Sequence, residues 1–162
     1  MSPLFSFSWK RKYSVGIKDL DQQHQAILEG LNHLHEEMMN GHVNDSVAPL
    51  ISNLVSLAET HFATEEKFME STQFPGLPDH RAKHQQLTQK VREFLARHEM
   101  GDKAAYSQFM YFLREWMTRH METDDQKYAP WLALHGMHSL NCHAGPTSAA
   151  PIRTSERCAK GE

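Results

Sequence analysis

Cysteine is nearly absent from this chain, with two among 162 residues. Cys142 and Cys158 both lie near the C-terminus and outside any CxxC pattern, so neither a disulfide scaffold nor a zinc ribbon is indicated. No stretch approaches the ~18 apolar residues that a membrane helix needs. No cluster of Lys and Arg is long enough to grip nucleic acid. The start, Met1 to Trp9, offers no basic leader and only a broken apolar stretch (Leu4, Phe5, Phe7), which makes a poor signal peptide. Strand-like alternation of apolar and polar residues is never sustained. These absences point to a cytoplasmic, helical protein that partners neither membrane nor nucleic acid. A formal charge of −3, with 40% hydrophobic and 23% charged residues, fits a soluble globular domain. The length suffices for one sound core.

Histidine is what the chain has in excess, twelve in all. To place them, the apolar pattern comes first. Ile17, Leu20, His24, Ile27, Leu28, Leu31, Leu34 and Met38 recur in steps of three and four, which predicts an amphipathic helix. Asp19 or Asp21 caps or charges its start, and Asn40-Gly41 ends it. A second stripe runs Val47, Leu50, Ile51, Leu54, Ala58, His61, Phe62, Glu65, Phe68 and Met69. The segment Phe74-Pro75-Gly76-Leu77-Pro78 then breaks the chain. A third helix from about Asp79 carries His80, His84, Leu87, Val91, Phe94 and Leu95. A fourth from about Asp102 carries Tyr106, Phe109, Met110, Leu113, Trp116, Met117 and His120. Short connections suit antiparallel neighbours, so the expected fold is an all-α, up-down-up-down four-helix bundle over residues 1–135, N-terminal arm included. Past His135 the pattern stops. Gly145, Pro146, Thr147, Ser148 and Pro151 read as part of a flexible tail over 136–162.

Seven residues on the stripes form a chemical set: His24, His61 with Glu65, His80 with His84, and His120 with Asp125. Side chains at i and i+4 project from one helix face. One inward histidine is usually a core residue with a hydrogen bond. A buried carboxylate such as Glu65, however, needs a compensating charge. Pairing across helices satisfies one or two of these groups, but not five imidazoles and two acids together. A central cation satisfies them all. Elsewhere, His33, His42 and His98 lie off the stripes and read as solvated, and His35 sits at a stripe edge. His135, His138 and His143 are loosely spaced near the tail.

The ligand mix then constrains the metal. Seven ligands exceed one tetrahedral zinc, and imidazole excludes calcium and magnesium. Imidazole with carboxylate suits iron, and two acids can bridge a pair of ions. Ferritin-like di-iron sites are rich in carboxylate. Here the ratio is reversed, and neutral imidazoles disfavour the high-valent states that attack substrates.

The chain resembles the hemerythrin family, most closely its bacterial single-domain members, over roughly residues 9 to 134. Trp9 precedes Gly16-Ile17, and Asp21-Gln22-Gln23-His24 follows. Then come His61-Phe62-Ala63-Thr64-Glu65-Glu66, the His80/His84 pair after a Pro-bearing turn, and Trp116-Met117 with His120, Asp125 and Tyr128. The resemblance implies a non-haem site of two Fe ions joined by an oxo or hydroxo bridge. His80, His84 and His120 would hold one iron, His24 and His61 the other, and Glu65 and Asp125 would bridge. It also implies reversible O2 binding at an open position of the second iron, for storage, delivery or buffering, with no catalysed reaction. A di-iron oxidase, or an enzyme consuming peroxide or nitric oxide, is the alternative. An O2- or iron-sensing module is the third reading. Ile27 and Leu28 lie a turn from His24, Phe62 follows His61, and Trp116 precedes His120 by a turn, so these four are expected to wall the O2 pocket.

One position divides the arguments. In a regular helix, i+4 returns to within ~40° of the starting residue and i+5 lies ~140° away. Helix geometry therefore chooses Asp124 as the partner of His120, whereas the family pattern chooses Asp125. A one-residue π-bulge after His120 reconciles them.

Overall fold

The computed structural model describes residues 6–40, 47–102 and 104–137. The expectations for the tail beyond Met137, for Cys142, Cys158, His138 and His143, and for His42, lie outside the described residues. A 3-10 turn, Arg11–Tyr13, precedes α1 (Lys18–Met39), α2 (Val47–Ser71) and α3 (Leu77–Glu99). The fourth helical run is α4 (Ala104–Arg119), a π-helical segment (His120–Asp124) and α5 (Asp125–Leu134). Successive helices pack on one another, and the described residues contain no strand. This is the antiparallel four-helix bundle that the apolar periodicity predicts.

Local chemistry sets the helix ends. The backbone N–H of Gly101 bonds His98 O, that of Asp102 bonds Arg97 O, and Gly101 takes a φ of 76°. This left-handed closure is cheap for a residue without Cβ. Gly136 (φ 74°) closes α5 in the same way. Met137 then packs beside Leu132 and Trp131, so the first two residues of the expected tail complete the helix end. After α2 the same position falls on Gln73 (φ 54°), a conformation unusual for a residue with a side chain. The third helix starts two residues before Asp79, because Pro78 in a first turn costs no hydrogen bond. Asp21 does not cap α1. Its carboxylate accepts from Ser14 Oγ (2.5 Å) and Val15 N (2.8 Å), pinning the arm to the helix. Farther along, Phe7 and Asn32 exchange two bonds, Phe7 N to Asn32 Oδ1 (2.7 Å) and Asn32 Nδ2 to Phe7 O (2.9 Å).

The buried core falls into two apolar clusters. The larger gathers Leu31, Leu34, Ile51, Phe94, Phe109 and Leu113 among others. The smaller comprises Val15, Ile17, Leu20, Met69, Tyr128 and Leu132. The seven histidine and acid positions lie where members of the larger cluster give way to members of the smaller, with His61 and His120 next to Phe62 and Met121 of the larger one.

Candidate metal centre

His24, Glu65 and Asp125 have no exposed surface, and His61, His80, His84 and His120 have 3% or less. All seven residues of the expected set converge. Glu65, His80, His84 and His120 bring ligand-type atoms within 4.8 Å of one another, as do His24, His61 and Glu65, and Glu65 belongs to both groups. Glu65 Oε2 lies 3.3 Å from His80 Nε2 and 3.2 Å from His84 Nε2, and Oε1 lies 3.3 Å from His61 Nε2. Asp125 spans the same two groups from the opposite side. Its Oδ1 is 3.1 Å from His120 Nε2, and its Oδ2 is 3.2 Å from His24 Nε2.

A π-bulge puts Asp125 there. The backbone N–H of Asp125 donates to His120 O, an i+5 to i bond, within the π-helical segment His120–Asp124. The wider turn rotates Asp125 inward. Asp124 is left outside, where its carboxylate accepts from Lys83 Nζ (2.8 Å) and Lys127 Nζ (2.9 Å) and stands 3.7 Å from His120 Nδ1. One inserted residue thus allows two consecutive aspartates to flank the same imidazole.

The electrostatics are those of a set seeking positive charge. Burial, aided by the neighbouring His61, pushes His24 down to about 3 against the pull of Glu65. Burial likewise pushes His120 down to about 4 despite Asp124 and Glu65. Both rings are therefore neutral near pH 7. Burial works to raise Glu65, yet His61, His80 and His84 hold it well below the usual carboxylate range. Asp125 has no such donors, and burial together with Glu65 and Asp124 raises it well above that range. Six buried atoms find no hydrogen-bond partner: both ring nitrogens of His24, His61 Nε2, His120 Nδ1 and both oxygens of Asp125. An arrangement this dry and unpartnered is costly for any protein unless cations join it. The donor set therefore fits a di-iron pair, with five imidazoles, two carboxylates able to bridge, and two overlapping groups of ligand atoms.

Partners on the outer side of the rings were not identified from sequence. His61 Nδ1 donates to Gln23 Oε1 (3.1 Å) and His84 Nδ1 donates to Glu66 Oε1 (2.9 Å), which turns each Nε2 toward the centre. Arg81 holds Glu66 in turn, Nε to Oε2 at 2.7 Å. The Tyr128 hydroxyl donates to Glu65 Oε1. Such partners fix tautomer and ring orientation. Gln23 and Glu66 stand immediately beside His24 and Glu65 in the sequence, yet each serves an imidazole on another helix, so only the packing reveals the pairing.

Of the four residues expected around the O2 pocket, Phe62 stacks on His84 (centroids 3.8 Å, 12°) and Trp116 on His120 (4.3 Å, 15°). Ile27 and Phe62 line an apolar pocket just past the imidazoles. Leu28 turns the other way, toward Phe7 and Tyr13 of the N-terminal arm. His98, read from sequence as solvated, is in fact half-buried and bonded to the Tyr106 hydroxyl.

Residues 15–132 match a family model described as the hemerythrin HHE cation binding domain. A bacteriohemerythrin of Stenotrophomonas maltophilia is 32% identical over 127 residues, covering 78% of this chain and 82% of that protein. A hemerythrin of Sipunculus nudus is 30% identical over 122 residues, covering 75% of this chain and 90% of its own. Among solved structures, a leucine-to-phenylalanine mutant superposes with a TM-score of 0.69 at 21% identity, covering 78% of this chain and 96% of the other. That likeness concerns the fold.

Proposed function

This chain belongs to the hemerythrin family, and from that premise we propose that it binds O2 reversibly at a non-haem di-iron centre, to store, deliver or buffer oxygen. One observation carries the reading. Five imidazoles and two carboxylates turn their donor atoms toward one another between two apolar clusters, and four of those atoms, His24 Nε2, His61 Nε2 and both Asp125 oxygens, make no hydrogen bond. In this reading His80, His84 and His120 hold one ion, His24 and His61 hold the other, and Glu65 and Asp125 span them. When bound, the iron pair supplies the electrons that O2 takes up and returns.

The remaining work belongs to the chain itself. Gln23, Glu66 and Asp124 aim the imidazoles, and Tyr128 steadies Glu65 by donating to it. Phe62 and Trp116 cover two of the rings, Ile27 closes the apolar side and Leu28 backs the arm. Phe62, Trp116 and Ile27 together keep water from the site. A binding role fits this ligand set better than an oxidase role, because imidazole donors bring little negative charge to stabilise oxidising states. No helix among the described residues is long and apolar enough to cross a membrane, and we place the protein in the cytoplasm.

The test is direct. Anaerobic, reduced, iron-loaded protein is exposed to O2, its visible absorption is recorded, and the O2 is then removed. A spectrum that appears and fully reverses supports the proposal. Turnover of O2, peroxide or nitric oxide without reversal assigns the enzyme reading instead. The unit responsible is the bundle with its arm, residues 1–135, plus the Gly136-Met137 closure. A chain ending at Met137 is expected to keep its full iron content, measured by elemental analysis.

A further inference from the structure

The larger apolar cluster is not filled. Between all four helices, beyond the imidazole layer, lies a pocket of about 250 Å3 walled by Ile27, Ile51, Val55, Leu87, Phe109 and Met117. Apolar space left empty costs stability in proportion to its volume. A cavity of roughly 150 Å3 already takes up benzene. Scaled by volume, this one accommodates about ten carbons.

Its mouth is chemically different. The pocket opens between α2 and α3 past Glu59, Phe62, Thr88 and Arg92, and those same four residues line a shallow surface groove. The groove also presents Arg81, Gln85, Gln86, Gln89 and Lys90. Arg81 is paired with Glu66, and Lys90 with Glu93. Among the described residues Arg92 is in no ion pair, and it is exposed where the pocket meets the groove. A planar, unpaired guanidinium above an apolar pocket suits a carboxylate carried on an alkyl chain. Glu59 stands across the mouth from it, but the cationic and amide groups of the groove outnumber the acids.

We propose that pocket and groove form one binding site for a medium-chain fatty acid, with the alkyl chain between the helices and the carboxylate at Arg92. The pocket that takes the alkyl chain contains none of the seven metal-ligand residues, although the groove at its mouth borders His84 and its partner Glu66; occupancy does not depend on the O2 reading.

The experiment is calorimetric titration of the iron-loaded full-length protein with decanoate, decanol, decylamine and acetate. Decanoate is expected to bind one per chain and acetate not at all, with decylamine weaker than decanoate. Ala58→Phe projects a ring into the pocket and is expected to weaken decanoate and decanol at least ten-fold. Arg92→Gln is expected to weaken decanoate about ten-fold and leave decanol unchanged, as loss of one charge-assisted contact requires. Arg92 is exposed, so this variant carries the test even if Ala58→Phe fails to fold, which helical content and iron content report. Absence of decanoate binding, tighter binding of decylamine, or decanoate affinity indifferent to Arg92→Gln overturns the proposal.

Discussion

The half of the bundle that carries the histidines and the half beyond it are built from the same four helices with the same periodicity, yet they are stabilised by opposite means. Beyond the imidazole layer, Leu34, Val47, Ile51, Phe94 and Phe109 bury apolar surface, and each contact is favourable by itself. Within the layer, His24, His61, Glu65 and Asp125 are just as dry, and their burial is unfavourable until something positive joins them. The larger apolar cluster, like the smaller one around Leu20, Met69 and Leu132 on the other side of the layer, is thus held by the hydrophobic effect. The layer between the clusters needs a cation to offset the burial of its acids and imidazoles, so metal binding is expected to stabilise the fold there. The difference also explains where local geometry bends. The apolar half keeps regular helix, whereas the ligand half contains the π-helical segment His120–Asp124, a distortion whose return is the placing of Asp125.

The sharpest way to break this comparison is to remove one spanning acid. Asp125→Ala is expected to abolish binding of at least one of two irons per chain, read as metal stoichiometry by elemental analysis. Phe109→Ala, in the other half, is expected to leave that stoichiometry intact. If both variants keep two irons, Asp125 has no part in the site.

Next in size is the effect of stripping metal from the intact chain. A ligand present at about a thousand times its Kd adds ~4 kcal/mol. In a protein of this length that is roughly a 10 °C shift in melting temperature. Hydrogen exchange should show the loss confined to segments around His24, His61 and His120, while those around Leu34 and Phe109 stay protected. The metal-free protein should also be acid-sensitive. His24 and His120 titrate near 3 and 4 in the folded state against an ordinary 6.5, so below pH 6.5 the unfolded chain takes up two protons that the folded chain refuses. Asp125, raised by burial and by the neighbouring Glu65 and Asp124, works in the opposite direction and offsets part of this uptake. The two histidines, joined at lower pH by Glu65, whose folded carboxylate is held well below its ordinary range, outweigh that offset, so stability should fall as pH drops from about 6.5 toward 4. A melting temperature flat over that range would sink the assignment of these buried imidazoles as neutral.

The apolar half supplies the counterpart. Phe109 stacks on Phe94 with ring centroids 3.9 Å apart and is 6% exposed. Phe109→Ala is expected to cost about 3–4 kcal/mol by denaturant unfolding. The loss should be the same with and without iron, because no ligand atom depends on that ring.

How much of this was legible in the sequence follows from what spacing can encode. Steps of three and four fix the angle of a side chain about its own helix, so the four helical runs and the inward positions of His24, His61, Glu65, His80, His84 and His120 could be read directly. Spacing does not say what lies across the gap. Leu28 shares a face with His24, yet it meets the N-terminal arm, because that arm is held by Asp21 and Asn32 through contacts no periodicity announces. His98 lay off the stripe but found the Tyr106 hydroxyl at the start of the next helix. The pocket behind Phe62 was invisible for a further reason. A void belongs to no residue and arises only from how four surfaces fail to meet. Asp125 was legible through a conflict, since helix geometry and family pattern disagreed and only a bulge satisfied both.

The smallest expected effect probes the outer flank of that bulge. Asp124 reaches no inward atom, but it stands 3.7 Å from His120 Nδ1 while accepting from Lys83 and Lys127. His120 draws its carboxylate well below the usual range, aided by the two lysines, so it is ionised near pH 7. A charge fixed there favours the tautomer that keeps the proton on Nδ1 and the Nε2 lone pair inward. Asp124→Ala removes that bias without removing a metal donor. Iron stoichiometry at saturation should stay at two per chain, while metal affinity, measured by competition with a chelator, falls by about 10- to 100-fold. Asp124→Asn should lose nearly as much, because the amide keeps the shape and loses the charge. An affinity unchanged in both variants would mean that Asp124 serves only to hold Lys83 and Lys127 on the surface. A loss of iron as complete as that of Asp125→Ala would mean that the two aspartates share the inner site, and that the bulge does not separate their roles.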